Sequence, residues 1–143
     1  MNTALQQESP ELASQLKDLS DGSLSHVALA VAKRAIEINK IEDPFISQIL
    51  ESPSFGDADV RGKLDALAAK IEDPYLDAMG EDIDLETRPD LLILFQKARA
   101  VTSLYFALSE NPTVDAANSI YEALHAEVAP DDIKNILESI SEV

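Results

Sequence analysis

The sequence predicts an all-α protein, and three observations lead to this prediction. Apolar residues recur at the i, i+3, i+4 spacing of helices that bury one face. Seven prolines and four glycines divide the chain into segments of helical length. Alternation of β-branched residues, the mark of a strand, is missing from the sequence. With 143 residues and 45 % apolar composition, we expect one domain, residues 1–143, of about seven to eight helices.

The most apolar stretch, LLILFQKARAVTSLYFAL at 91–108, predicts a central helix over about 90–109. This stretch has the minimum length of a membrane span, but Lys97 and Arg99 would lie near the bilayer centre. Each would cost roughly 2.5–3.5 kcal/mol there. We therefore expect a buried core helix, around which the other helices form an antiparallel bundle or a short array of helical hairpins.

The elements before the central helix are predicted from capping residues. Residues 1–8 are expected to be a frayed or disordered end. Ser9 and Pro10 are typical of an N-cap and a first helical position. The pair Asp21-Gly22 is expected to close the helix that begins there.

Two further helices are predicted in the same way. Ser23 or Ser25 is expected to cap an alanine-rich helix that runs to about Ile41. Asp57 or Asp59 is expected to cap a later helix with apolar residues at helical spacing.

The pentapeptide KIEDP occurs twice, at 40–44 and at 70–74, and an aromatic residue follows it each time. We predict that each copy ends a long helix and that Asp43 and Asp73 cap short helices beginning at the next proline. A spacing of thirty residues is typical of repeated helical hairpins. Short connections in an ordinary bundle produce the same Asp-Pro junction, so both architectures stay open.

The last two helices are predicted from their apolar spacing. Asn111-Pro112 precedes the first of them. Its inward face is expected to hold Val114, Ala117, Ile120, Tyr121 and Leu124. The inward face of the final helix is expected to hold Ile133, Ile136, Leu137 and Ile140.

The formal net charge is −16. Nucleic acids and anionic membrane surfaces would be repelled, because their affinity for proteins depends on Lys and Arg. A basic protein would be attracted and steered. The acids lie mainly in two blocks, residues 57–90 and 110–143, on either side of a central stretch that carries two cations and no acids.

A search for chemical motifs is negative, and we predict no catalytic, cofactor or metal site. The chain has no Cys, only two His and no Gly-rich phosphate loop or nucleophile elbow. Glu122 and His125 have the spacing of a di-iron half-site, but a second such pair is missing and a surface or boundary pair is the better interpretation. The acids at 57–68 begin like a calcium loop, yet position twelve is Ala68.

Three hypotheses about function follow. The first is a non-enzymatic, cytoplasmic protein-binding module, an inhibitor or immunity-type protein that masks a basic partner. Its binding residues are predicted to be Asp73, Asp77, Glu81, Asp82, Asp84 and Glu86. The second is an enzyme or small-ligand binder in which Lys97 or Arg99 holds an anion, with Tyr105 or His125 nearby. The third is a structural homo-oligomer.

The N-terminal residues lack the basic start and apolar core of a secretory signal, from which we expect a cytoplasmic location.

Overall fold

The computed structural model describes residues 4–79 and 88–141, and these residues form eight α-helices. The prediction of an all-α domain with seven to eight helices is confirmed. In chain order the helices are α1 (Ala4–Glu8), α2 (Pro10–Leu16), α3 (Asp21–Ile38), α4 (Pro44–Glu51), α5 (Ala58–Met79), α6 (Pro89–Ala107), α7 (Pro112–His125) and α8 (Pro130–Ser141).

Three helix starts agree with the predicted caps. The Ser9 hydroxyl accepts a hydrogen bond from the backbone N–H of Leu12, at the start of α2. The Asp43 carboxylate accepts from two backbone N–H groups of α4, at 2.8 and 3.3 Å. Asp57, the first of the two candidates, caps α5 in the same way. Each side chain satisfies backbone donors that have no partner within the helix.

Two expectations near the N-terminus were wrong. Residues 4–8 are helical rather than frayed, and Leu5 is buried while α1 packs against α7. Residues 1–3 of that expected end lie outside the described residues. The next junction lies earlier than expected, because Ser20 caps α3 and accepts from the N–H of Ser23. Asp21 therefore belongs to the first turn of α3, where its negative charge is favourable at the positive end of the helix.

The predicted helix boundary at Asp73-Pro74 was also wrong. Helix α5 continues through Pro74 to Met79, so this proline lies inside a helix and not at its start. A proline in this position leaves the carbonyl of Lys70 without its usual helical donor. The two KIEDP copies are therefore not a structural repeat.

The core is built around α6, as the apolar stretch predicted. Helix α6 packs against α5, α7 and α3, and α3 also packs against α7 and α8. Contacts between α5 and α6 run in opposite directions along the two helices: Arg61 meets Tyr105, and Glu72 meets Arg99. This order shows that the two helices are antiparallel.

Two serines allow close packing at the centre of the bundle. Ser103 of α6 and Ser119 of α7 are fully buried, and their hydroxyl oxygens are 3.1 Å apart. The Ser103 hydroxyl donates to the Ser119 carbonyl at 2.8 Å. These bonds satisfy polar groups that would otherwise cost free energy in the core.

The inward face of α7 is rotated from its predicted position. Val114 was expected in the core but is half exposed, and Ile120 is buried as expected. The buried residues of α7 are Ala116, Ser119, Ile120 and Ala123. The predicted Ala117, Tyr121 and Leu124 are partly buried at the edge of the core, and the prediction missed the small residues at its centre. Among the helices of the described residues, none combines the length and the apolarity needed to cross a membrane.

Candidate functional site

The most concentrated polar cluster lies where α5, α6 and α7 meet. Arg99 of α6 binds Glu72 of α5 with its Nη2 atom at 3.0 Å and Glu122 of α7 with its Nη1 atom at 3.2 Å. The three side chains are only 21 %, 18 % and 13 % exposed, respectively. The guanidinium also lies 5.5 Å from the ring centroid of Phe95. We call Glu72, Arg99 and Glu122 the ion-pair triad.

Burial makes one carboxylate of the triad electrostatically unusual. Desolvation raises the pKa of Glu122 above its ordinary value, and this outweighs the opposing effect of the Arg99 charge. The folded chain therefore holds this proton more tightly than the unfolded chain does. The contribution of Glu122 to stability is present at low pH and is lost as the pH rises through the raised pKa.

The geometry of the triad bears on the hypothesis that Arg99 holds an anionic ligand. Both terminal nitrogens of the guanidinium already donate to carboxylates. The triad contains one cation and two acids, so a further anion would meet net negative charge. The partners of Arg99 in the folded chain are therefore the carboxylates of Glu72 and Glu122.

Lys97 does not join this cluster. Residues two apart on a helix point to different sides, so Lys97 and Arg99 cannot hold one ligand together. Lys97 is half-buried and makes no ion pair within 4 Å to any residue of the described ranges. Tyr105, expected near the anion, lies instead under Arg61, whose guanidinium carbon is 4.2 Å from the ring centroid.

His125 is one turn after Glu122 on α7, at the contact between α7 and α1. Its Nε2 atom is 4.0 Å from a carboxylate oxygen of Glu8, too far for a hydrogen bond, and its ring packs on Tyr121 at 4.6 Å. The described residues contain no group of three His, Asp or Glu side chains that could hold a metal ion. Glu122 pairs with Arg99, so the Glu-x-x-His spacing here belongs to an ion-pair cluster.

The predicted acidic binding residues are described in part. Asp73 and Asp77 are exposed on α5, one turn apart, where they can meet a partner. The other four predicted residues, Glu81, Asp82, Asp84 and Glu86, lie outside the described residues.

Cavities on the described surface lie away from the triad. One of about 340 Å³ is lined by residues of α3 and α8, including Ser23 and His26. A second of about 530 Å³ shares Ser23 and Ile140 with it and extends toward α2. Serines and aliphatic side chains line both cavities, together with His26 in the first and the carboxylates Asp18 and Glu138 in the second.

Sequence reasoning missed Glu72 as the partner of Arg99. The sequence offered one signal, because Glu72 belongs to the second KIEDP copy. The predicted helix boundary placed that residue in a turn, and so its ion pair was not foreseen.

Comparison with protein-family models, with curated proteins and with solved structures found no match to this chain.

Proposed function

We propose that this chain is a non-enzymatic acidic module that binds and masks a basic protein, as inhibitor and immunity proteins do. The observation that carries the proposal is an excess of exposed carboxylates that have no cationic partner. Nine of them make neither an ion pair nor a side-chain hydrogen bond with another residue of the described ranges: Asp18, Glu42, Glu51, Asp59, Asp65, Asp73, Asp77, Glu110 and Asp131.

The arginines, by contrast, are held within the chain. Arg34 pairs with Glu37 and Asp132, and Arg88 pairs with Asp90. Arg99 belongs to the triad, and Arg61 lies on Tyr105 while donating to its carbonyl oxygen. Each arginine thus donates to an acceptor within the chain. A net charge of −16 steers basic partners toward this surface and nucleic acids away from it.

The experiment that tests the proposal measures association at several salt concentrations. Proteins captured from host extract at low salt are identified, purified and mixed again with the chain. We expect a basic partner whose association rate falls at least tenfold between about 0.05 and 0.5 M salt, with little change in dissociation. A partner that is not basic, or an affinity indifferent to salt, would contradict the proposal.

A matched pair of variants localises the binding surface. Asp73→Asn with Asp77→Asn removes two charges from the predicted binding residues. Asp59→Asn with Asp65→Asn removes the same charge from the other half of α5. We expect the first pair to slow association more than the second.

The remaining hypotheses have direct tests. Substitution of Lys97 by Gln would abolish ligand binding if the anion site were real, and sedimentation at two protein concentrations would reveal a homo-oligomer. A cytoplasmic location, expected from the sequence, stays part of the proposal and is tested by cell fractionation.

A further inference from the structure

Exposed apolar side chains gather at one end of the α5–α6 hairpin. Five large apolar residues are prominently exposed in the described part of the chain. Three of them, Leu76, Leu92 and Ile93, lie in the last turns of α5 and the first turns of α6, with 55 %, 39 % and 50 % of their surface exposed. Single exposed apolar residues are ordinary, but a cluster indicates an interaction surface.

Helical geometry places Leu76 and Leu92 on the same side of the hairpin. Leu76 is four residues after Glu72, and Leu92 is seven before Arg99, so each leucine shares a helix face with its triad residue. Glu72 and Arg99 are in contact at 3.0 Å. The leucines therefore continue the same side toward the hairpin end, where Tyr75 and Phe95 join the helices with ring centroids 5.1 Å apart.

Acidic side chains outnumber cations around these leucines: Arg88, one turn before Leu92, is paired with Asp90, and Lys97 lies one turn after Ile93. Gln96 is one turn after both Leu92 and Ile93, and its amide donates to the Glu127 carboxylate at 3.0 Å. On α5, Asp73 is one turn before Leu76 and Asp77 is next to it, and both are exposed. We call Leu76, Leu92 and Ile93, with the bordering Asp73, Asp77 and Glu127, the hairpin-end patch.

We propose that the hairpin-end patch docks a basic amphipathic helical segment of the partner protein. The apolar centre fits the apolar face of such a helix, and the acidic border fits its Lys or Arg residues. A second copy of this chain would bring like charges together around the patch, and an anionic membrane would be repelled in the same way. This inference rests on the proposed function and names the part of the partner that is recognised.

The test uses two synthetic helical peptides of equal charge, one of Leu and Lys with an apolar face and one in which Gln replaces every Leu. The patch variant is Leu76→Gln with Leu92→Gln. The control variant is Phe55→Gln with Val114→Gln, which changes two similarly exposed apolar residues near the opposite end of α6. Affinities are measured at low salt by fluorescence anisotropy.

We expect the patch variant to bind the Leu/Lys peptide about tenfold more weakly than the unmodified chain, because apolar contacts are lost. The control variant should bind it within twofold of the unmodified chain. All three proteins should bind the Gln/Lys peptide weakly and equally, since only charge attracts it.

Several outcomes would overturn the docking surface. One is equal binding of the Leu/Lys peptide by the patch and control variants. A large loss of thermal stability in the patch variant would show that the leucines are covered in the free chain, and concentration-dependent dimerisation lost in that variant would identify a second copy as the occupant. If the captured partner still binds in a salt-dependent way while the patch variant has no effect, the proposed function stands and only the docking surface fails.

Discussion

The two copies of KIEDP have identical sequences and different structures. At 40–44 the chain leaves α3, turns, and starts α4 at Pro44. At 70–74 the same five residues lie inside α5. The comparison shows that an Asp-Pro pair, one of the strongest local signals for a helix start, does not by itself start a helix. Here the surrounding contacts decide whether a helix starts at the proline.

The first copy ends a helix because its neighbours complete a C-cap. Lys40 adopts a left-handed conformation with φ of 53°, and the N–H of Ile41 bonds back to the carbonyl of Ile36 at 3.2 Å. This pattern is a Schellman motif. The preceding residue, Asn39, donates its side-chain amide to the carbonyls of Ala35 and Ala126, both at 2.9 Å, which fixes the helix end against the end of α7.

The second copy has no such residue before it, since Ala69 stands where the first copy has Asn39. Alanine favours continuation of the helix. Beyond it, Glu72 binds Arg99 and Tyr75 packs on Phe95, and both contacts require the helix to continue along α6. We infer that these contacts offset the cost of Pro74.

The largest expected effect comes from removing the contact that holds the second copy. Arg99→Met keeps the aliphatic stem but leaves Glu72 and Glu122 largely buried without a cation, and it should reduce the free energy of unfolding by about 3 kcal/mol. Urea unfolding measures this loss, and far-UV circular dichroism should show fewer helical residues. The matched control is Arg34→Met, which also loses two carboxylate partners but is 46 % exposed. It should lose about 0.5 kcal/mol; equal losses would mean that the triad does not hold α5.

Substitution of Pro74 and of Pro44 should change the stability of the fold in opposite directions. Pro74→Ala restores a helical N–H inside α5 and should stabilise the fold by about 2 kcal/mol. Pro44→Ala at the first position of α4 should destabilise it by about 0.5 kcal/mol, because the unfolded chain becomes more flexible. Thermal unfolding of both variants checks the prediction. If Pro74→Ala were also destabilising, the interior position of Pro74 would be in doubt.

Substitution of Asp43 and of Asp73 distinguishes an aspartate that caps a helix from one that is exposed inside a helix. Asp43→Ala removes the acceptor for the N–H groups of Phe45 and Ile46 and should cost about 1.5 kcal/mol. Asp73→Ala removes no cap and should change stability by less than about 0.5 kcal/mol. Urea unfolding of the two variants under the same conditions gives the comparison, and a similar cost at both positions would indicate that Asp73 also caps a helix.

The sequence allowed correct prediction of the fold class, the central helix and the caps at Ser9, Asp43 and Asp57. These features depend on periodicity and on bonds between residues two or three apart, which a single sequence displays. The boundary at Pro74 and the orientation of α7 could not be predicted in the same way. They depend on contacts between helices, such as Glu72 with Arg99 and Ser103 with Ser119.

The candidate surfaces were predictable to a similar extent. Net charge and the carboxylate partners available to Arg99 were evident from composition. The hairpin-end patch was not, because Leu76 and Leu92 look like ordinary core residues at helical spacing. They lie beyond the end of α7, which stops at His125, level with the triad and short of Leu92 along α6.

The smallest expected effects on stability come from substituting Lys40 and Lys70, the first residues of the two KIEDP copies. Glycine at these positions distinguishes a left-handed backbone conformation from a helical one. Lys40→Gly places a residue without a Cβ atom at a left-handed position, and the strain relieved should exceed the extra entropy of the unfolded chain by about 0.5 kcal/mol. Lys70→Gly places glycine inside α5 and should destabilise by about 1 kcal/mol. Each change removes one exposed positive charge, so effects of net charge cancel between them. A difference of the same sign in the two variants would mean that both copies share one conformation, whereas opposite signs, measured by urea unfolding, would establish that one pentapeptide ends a helix and the other continues it.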